Sequence, residues 1–192
     1  FLSPVLGLVV GYLAVVLSYT LSASATPHLN RWFQRGQVLA SFFMALSFGS
    51  NDGQKMMGIV VLGLVSARYT DSYRVPLEVV AFCAVVLALG TVMGGWRLIH
   101  TMGGKFYKIR PIHGFGAQVA STAVIWGSGL LGWPVSGSQV VTSAIVGAGS
   151  ADRIRQVRWG VVQHILVGWV LTLPASALVS AGCYLIIKGF VG

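Results

Sequence analysis

Apolar runs long enough to cross a bilayer follow one another along this chain, broken only by short basic loops. The runs cover Leu2–Ser22, Val38–Val65, Leu77–Trp96, Gly114–Trp133 and Val161–Ile187. A helix needs about 20 apolar residues to span the hydrocarbon core, and inside lipid its backbone bonds are satisfied within the segment. The pattern therefore predicts an all-α, polytopic membrane protein. A membrane barrel would show short alternating segments instead. Only 9% of the residues are charged, against about 25% in soluble domains. The net charge of +9 is spread over loops rather than gathered on one face, which fits membrane topology and not nucleic-acid binding. Cys83 and Cys183 lie within apolar runs, without zinc or redox spacing, and read as small core residues. The chain opens at Phe1 inside an apolar run, without a signal-peptide pattern. It reads as a piece of something longer, a single transmembrane domain over residues 1–192 with no soluble domain.

The second run is the unusual one. Phe48-Gly49-Ser50-Asn51-Asp52-Gly53-Gln54-Lys55 interrupts it at its middle. A central Asp or Lys costs about 2.5–3.5 kcal/mol on insertion scales, so both are expected to meet partners, water or ions. Gly49 and Gly53 let the backbone leave helical geometry. The run is thus expected to be one discontinuous helix, or a re-entrant pair. Before it, residues 26–37 mix Pro27, His28, Arg31, Trp32, Phe33 and Arg35, as an interfacial segment does. The stretch from Arg97 to His113 reads as a basic loop, punctuated by Gly103-Gly104 and Pro111. Pro174 is expected to kink the last run.

Basic residues order the loops. If residues 114–149 enter and return as a helical hairpin, nine Lys and Arg (Arg31, Arg35, Arg97, Lys105, Lys108, Arg110, Arg153, Arg155, Arg158) share one side. Arg68, Arg74 and Lys188 face the other. The richer side is cytoplasmic by the positive-inside rule. A single crossing would give seven against five, so the hairpin is the preferred reading.

Two polar breaks could hold a ligand. Asp52 is the one carboxylate deep in an apolar run, since Asp71, Glu78 and Asp152 lie in or beside loops. With Asn51 it offers hard oxygens for Na⁺, or a proton site. The second break, Pro134-Val135-Ser136-Gly137-Ser138-Gln139 with Thr142 and Ser143, supplies neutral oxygens and donors that could hold an anion. These small residues could equally serve close helix packing. Lys55 could be an anion ligand or a helical partner of Asp52 three residues away. Gly90, Gly94 and Gly95 read as helix-packing positions, His100 and His113 as interfacial loop residues, and His164 as an interhelical polar contact.

Four motifs in order resemble the inorganic phosphate transporter (PiT) family, from about Arg35 to about Ala181. Gly49 to Gly58 resembles its G-x-N-D-x-Q-K signature, and Gly90 to Arg97 the glycine-rich stretch that follows. Pro111 to Gln118 resembles P-x-x-G-F-x-A-E, and Pro134 to Gly147 resembles P-V-S-T-T-H with its small-residue helix. The resemblance implies two inverted repeats, of which this chain is similar to the C-terminal one of a bacterial low-affinity phosphate permease. It implies cation binding by Asn51, Asp52, Ser50 and Gln118. It implies phosphate binding by Ser136, Gly137, Ser138, Gln139, Thr142 and Lys55, with Gly49 and Gly53 breaking the helix. Phe48 stands where many relatives have His, Gln118 where they have Glu, and Gly137, Ser138 and Gln139 where they have Thr, Thr and His. Every titratable residue lost becomes neutral, which argues against a proton relay at those positions.

The expected function is secondary active symport of inorganic phosphate with Na⁺ or H⁺ across a bacterial plasma membrane. The alternatives are a permease for sulfate or another tetrahedral oxyanion, or an anion channel. No enzyme is expected, because no nucleophile–base pair or metal cluster stands in a polar break. No cofactor is expected beyond a Na⁺ at Asn51 and Asp52. The expected partners are phosphate, the coupling cation, the lipid bilayer and a missing N-terminal repeat; a homodimer is admitted, and nucleic acid is not expected.

Overall fold

The computed structural model describes residues 2–22, 29–104, 110–154, 157 and 159–191. They form six helices: α1 (Leu2–Ser22), α2 (Leu29–Ser66), α3 (Leu77–Gly104), α4 (Pro111–Leu130), α5 (Gly137–Arg153) and α6 (Trp159–Val191). No strand occurs among the described residues. Among the described residues, three segments are both long and apolar enough to cross a membrane: Leu2–Leu21, Leu77–Trp96 and Trp159–Gly189. Pro27, His28, Lys105, Lys108, Arg155 and Arg158 lie outside the described residues. The helices fall into two compact units, Phe1–Val157 and Arg158–Gly192.

The first correction concerns α2. It runs unbroken for 38 residues, through the interfacial stretch and through Gly49 to Lys55. Gly49 and Gly53 do not break it. Glycine permits a break without compelling one, and each costs a helix only about 1 kcal/mol relative to Ala. Polar neighbours that find partners across the bundle leave no reason to surrender backbone bonds. The second correction is α3, which continues through Gly103 and Gly104 where a loop was expected.

In the first unit, α1, α4 and α5 build the core. The carboxylate of Asp152 at the end of α5 lies 4.0 Å from Arg110 at the start of α4, so these two helices are antiparallel across a turn at residues 131–136. α1 runs parallel to α5. Ser3, Gly7 and Gly11 recur every fourth residue and form one face. The backbone N–H of Ser136 donates to Ser3 Oγ at 3.3 Å. A Cβ on Gly7 would strike Ser143 Oγ and the Val140 carbonyl, and one on Gly11 would strike the Ala144 carbonyl. Gly147 on α5 lies as tightly against the Leu8 carbonyl. Small residues at this seam let the two backbones meet, as membrane helices do. Val15, Ala117, Ala120, Ala144 and Ala148 fill the core behind it.

α2 packs along α4 in parallel: Phe33 stacks at 5.6 Å on Phe115, and a Cβ on Gly36 would stand 3.1 Å from that ring. The second half of α2 continues past the α4–α5 turn and meets α3 through Val61, Val79 and Cys83. Cys83 is therefore a core residue as expected, whereas Cys183 is exposed on α6. Two residues past the end of α2, Arg68 takes φ +58°, the left-handed position after a helix usually given to glycine. In the second unit, α6 keeps helical geometry through Pro174. His164 there bonds the Gly160 carbonyl of its own helix at 2.7 Å.

Candidate functional site

Where the α4–α5 turn meets the middle of α2, three side chains and a backbone carbonyl converge. The Lys55 ammonium donates to the Val135 carbonyl at 2.6 Å and to Asp52 Oδ1 at 3.1 Å. Asn51 Nδ2 donates to the same Val135 carbonyl at 3.3 Å. Asn51 and Lys55 are four apart, so one helical face presents both donors to the turn. The polar patch of α2 is thus paired without unwinding the helix. The Phe48 ring lies against Gly137, where a Cβ would come within 2.8 Å of it. Glycine at that position is what lets the first turn of α5 sit on α2.

α5 begins at this junction. Ser136 is its N-cap, in extended geometry, yet its hydroxyl does not cap the helix. That hydroxyl instead lies 3.3 Å from Ser138 Oγ. The first N–H groups of a helix have no intrahelical partner, and the helix end carries partial positive charge. Such an end is suited to an oxyanion. Two cavities adjoin each other on the α2–α4 side of the junction, sharing Asn51, Gln54 and Gly129, and no described α5 residue lines either. The smaller, about 130 Å³, is lined by Ser47, Ser50, Asn51 and Gln54 from α2 and by Ile125, Trp126, Gly129 and Leu130 from α4. The larger, about 220 Å³, reaches Lys55, Gly132, Trp133 and Pro134. A water occupies about 30 Å³ of liquid, so either cavity has room for a small tetrahedral oxyanion.

The residues singled out from sequence do not all meet. Asn51, Asp52, Lys55, Ser136, Gly137 and Ser138 gather at the junction, and Ser50 lines the smaller cavity. Thr142 is buried, and its hydroxyl returns to the Ser138 carbonyl at 2.7 Å. Gln139 is half-buried, with its carbonyl accepting from Ser143 Oγ. Gln118 stands apart: seven residues, about 10 Å of helix rise, separate it from Ile125 at the cavity. Its Oε1 is buried, with no hydrogen-bond partner among the described residues. Among the described residues no group of three or more His, Cys, Asp or Glu could hold a metal ion.

Two features escaped the sequence reading. Gln54 lines both cavities. Its signal was the spacing Ser47, Ser50, Asn51, Gln54, a polar stripe visible only if the helix is taken as continuous. His113 is a correction of role: it stands in the first turn of α4 rather than in a loop, and it is 2% exposed. Its Nε2 lies 3.0 Å from Tyr19 Oη on α1 and 3.9 Å from Asp152 Oδ2 on α5. Burial chiefly lowers its pKa from the usual histidine value, with Arg110 adding to this and Asp152 opposing. This cluster ties three helices at the end of the bundle away from the junction. Gly90, Gly94 and Gly95 meet nothing within 4 Å among the described residues.

Comparison with known proteins gives the site its context. The model of the phosphate transporter family (PHO4) matches residues 18–180. The chain is 41% identical to a Rhizobium meliloti (strain 1021) protein over 95% of its own length and 55% of that protein's. It is 36% identical to a Bacillus subtilis (strain 168) protein, covering 97% of this chain and 57% of the other. A third, from Mycobacterium tuberculosis (strain ATCC 25618 / H37Rv), is 38% identical over 99% of this chain and 46% of its own length. All three carry the name "Probable low-affinity inorganic phosphate transporter". The chain spans about half the length of these curated relatives. No solved structure matches it at a significant level. With a family model covering most of its residues and three helices fit to cross a membrane, the chain is a multi-pass integral membrane protein that belongs to the phosphate transporter family.

Proposed function

We infer that the chain forms one half of a transporter that moves inorganic phosphate across the membrane by symport with Na⁺ or H⁺. The other half is an inverted N-terminal repeat, and the ligand lies between the two. The observation that carries this reading is the junction itself: a partly exposed carboxylate, Asp52, held by Lys55, which also reaches the Val135 carbonyl next to an uncapped helix N-terminus at Ser136. In this reading Asp52, helped by Asn51 and Ser50, takes the coupling cation. The N-terminus of α5, with the Ser136 and Ser138 hydroxyls, donates to phosphate oxygens. A bound cation then offsets phosphate charge in a site of low dielectric, where attraction at a few ångströms is strong. Neither charge enters readily alone, and that is the basis of coupling. The repeats rock about the bound ligand to expose it to either side. The relatives' printed names support phosphate as the substrate.

Radiolabelled phosphate uptake by the full-length protein in liposomes tests this. Asp52→Asn should reduce uptake by tenfold or more and flatten its dependence on Na⁺ or pH. Uptake with unchanged cation dependence would remove Asp52 from the mechanism. Excess unlabelled sulfate should compete poorly; equal competition would favour a general oxyanion permease, and uptake that never saturates would favour a channel.

A further inference from the structure

Lys55 holds two hard oxygens from two different elements. Its ammonium is 3.1 Å from Asp52 Oδ1 within α2 and 2.6 Å from the Val135 carbonyl in the α4–α5 turn. A simple i, i+3 ion pair would need only the first of these. The second pulls the ammonium inward, onto a carbonyl that also accepts from Asn51. A carboxylate, a backbone carbonyl and an amide-bearing neighbour are the ligand types a hard cation takes. The ammonium, a compact monovalent charge with three donors, stands among them.

We propose that Lys55 is a tethered substitute for the coupling cation, occupying the Asp52 carboxylate and the Val135 carbonyl whenever that cation is absent. This rests on the reading of Asp52 as the coupling-cation carboxylate. Two positive charges on one carboxylate repel, so an arriving Na⁺, or a proton on Asp52, displaces the ammonium. The released side chain then swings on its four-carbon stem toward the adjoining cavity, whose lining already includes it and Pro134, two residues before the α5 N-cap, and adds a positive charge near the oxyanion at that helix end. The turn stays attached meanwhile, because Asn51 keeps its own bond to Val135. In the empty carrier the substitute keeps Asp52 neutralised within the membrane, where a bare carboxylate is costly. No other Asp, Glu, His, Lys or Arg lines either cavity among the described residues, so the exchange is between Lys55 and the incoming cation alone.

The test is phosphate uptake by the full-length protein in liposomes, wild type against Lys55→Met. Met retains much of the apolar stem and removes the charge. With Na⁺ varied at fixed pH, the variant should reach half-maximal uptake at about tenfold less Na⁺, the ratio that a competition of about 1.4 kcal/mol produces. With pH varied and Na⁺ replaced by choline, a proton-coupled carrier should instead move its midpoint up by about one pH unit. A lower maximal rate with an unmoved midpoint means that Lys55 only braces the turn, and overturns the proposal. Wild-type uptake indifferent to both Na⁺ and pH overturns the reading of Asp52 itself, and this inference with it. A second measurement uses the unmutated protein and is read by mass spectrometry. Na⁺ should raise the rate at which an amine-reactive reagent modifies Lys55 several-fold over choline at equal ionic strength. An unchanged rate in a protein whose uptake requires Na⁺ overturns the proposal.

Discussion

Lys55 shows how one long side chain settles a costly sequence. An acid and a base inside an apolar run are each expensive in lipid, and here Lys55 pairs with Asp52 and also donates to one turn carbonyl. His113 makes the same point at the opposite end of the bundle, where an apparently interfacial residue is buried against Tyr19 and Asp152. Its titration yields a pH effect with a definite sign. Burial lowers its folded-state pKa below the unfolded value of about 6.5. The unfolded chain then binds more protons, so this contribution to stability is present above about pH 6.5 and is lost as pH falls from there toward the folded pKa. Thermal unfolding of the detergent-solubilised full-length protein should show a midpoint that falls on acidification through this window. In His113→Gln the fall should be smaller, and the midpoint at neutral pH lower for want of the buried bond to Tyr19.

At the scale of elements, the α1–α5 seam is the fold's most demanding contact. Gly7, Gly11 and Gly147 sit where any Cβ meets the facing backbone. Gly11→Leu should force α1 off α5 and destabilise by about 1–3 kcal/mol, as overpacking does. Gly90→Ala on α3 meets nothing among the described residues and should be neutral or stabilise slightly through helix propensity. Unfolding of the two variants in denaturant, side by side, checks the contrast. Sequence alone made α3 the glycine-packed helix, because Gly90 and Gly94 stand out inside a motif. The Ser3, Gly7, Gly11 spacing was equally visible but lay in a run without charged residues to draw attention. The positions of α1, α6 and the start of α3 were legible because length and hydropathy fix them. The continuity of α2 was not, because glycine and charge signal a break only when no tertiary partner appears, and Val135 is 80 residues further along the chain.

Across the whole first unit, the topology brings two distant signatures to one place. α2 runs parallel to α4, α4 turns back into α5, and the turn delivers Val135, the residue before the α5 N-cap, to Asn51 and Lys55. The candidate ligands were legible residue by residue through their chemistry; which of them meet was not, since spacing along the chain does not say that Thr142 turns inward or that Gln118 lies about 10 Å of rise from the cavity. The central claim is that the α2 signature and the N-terminus of α5 form one phosphate site. Binding of radiolabelled phosphate to the purified full-length protein, in a double-mutant cycle of Asn51→Ala and Ser138→Ala, addresses it directly. One shared site predicts losses that fail to add, with a coupling of about 0.5 kcal/mol or more. Losses that add to within about 0.3 kcal/mol, or a Ser138→Ala variant that binds phosphate as the wild type does, would contradict it.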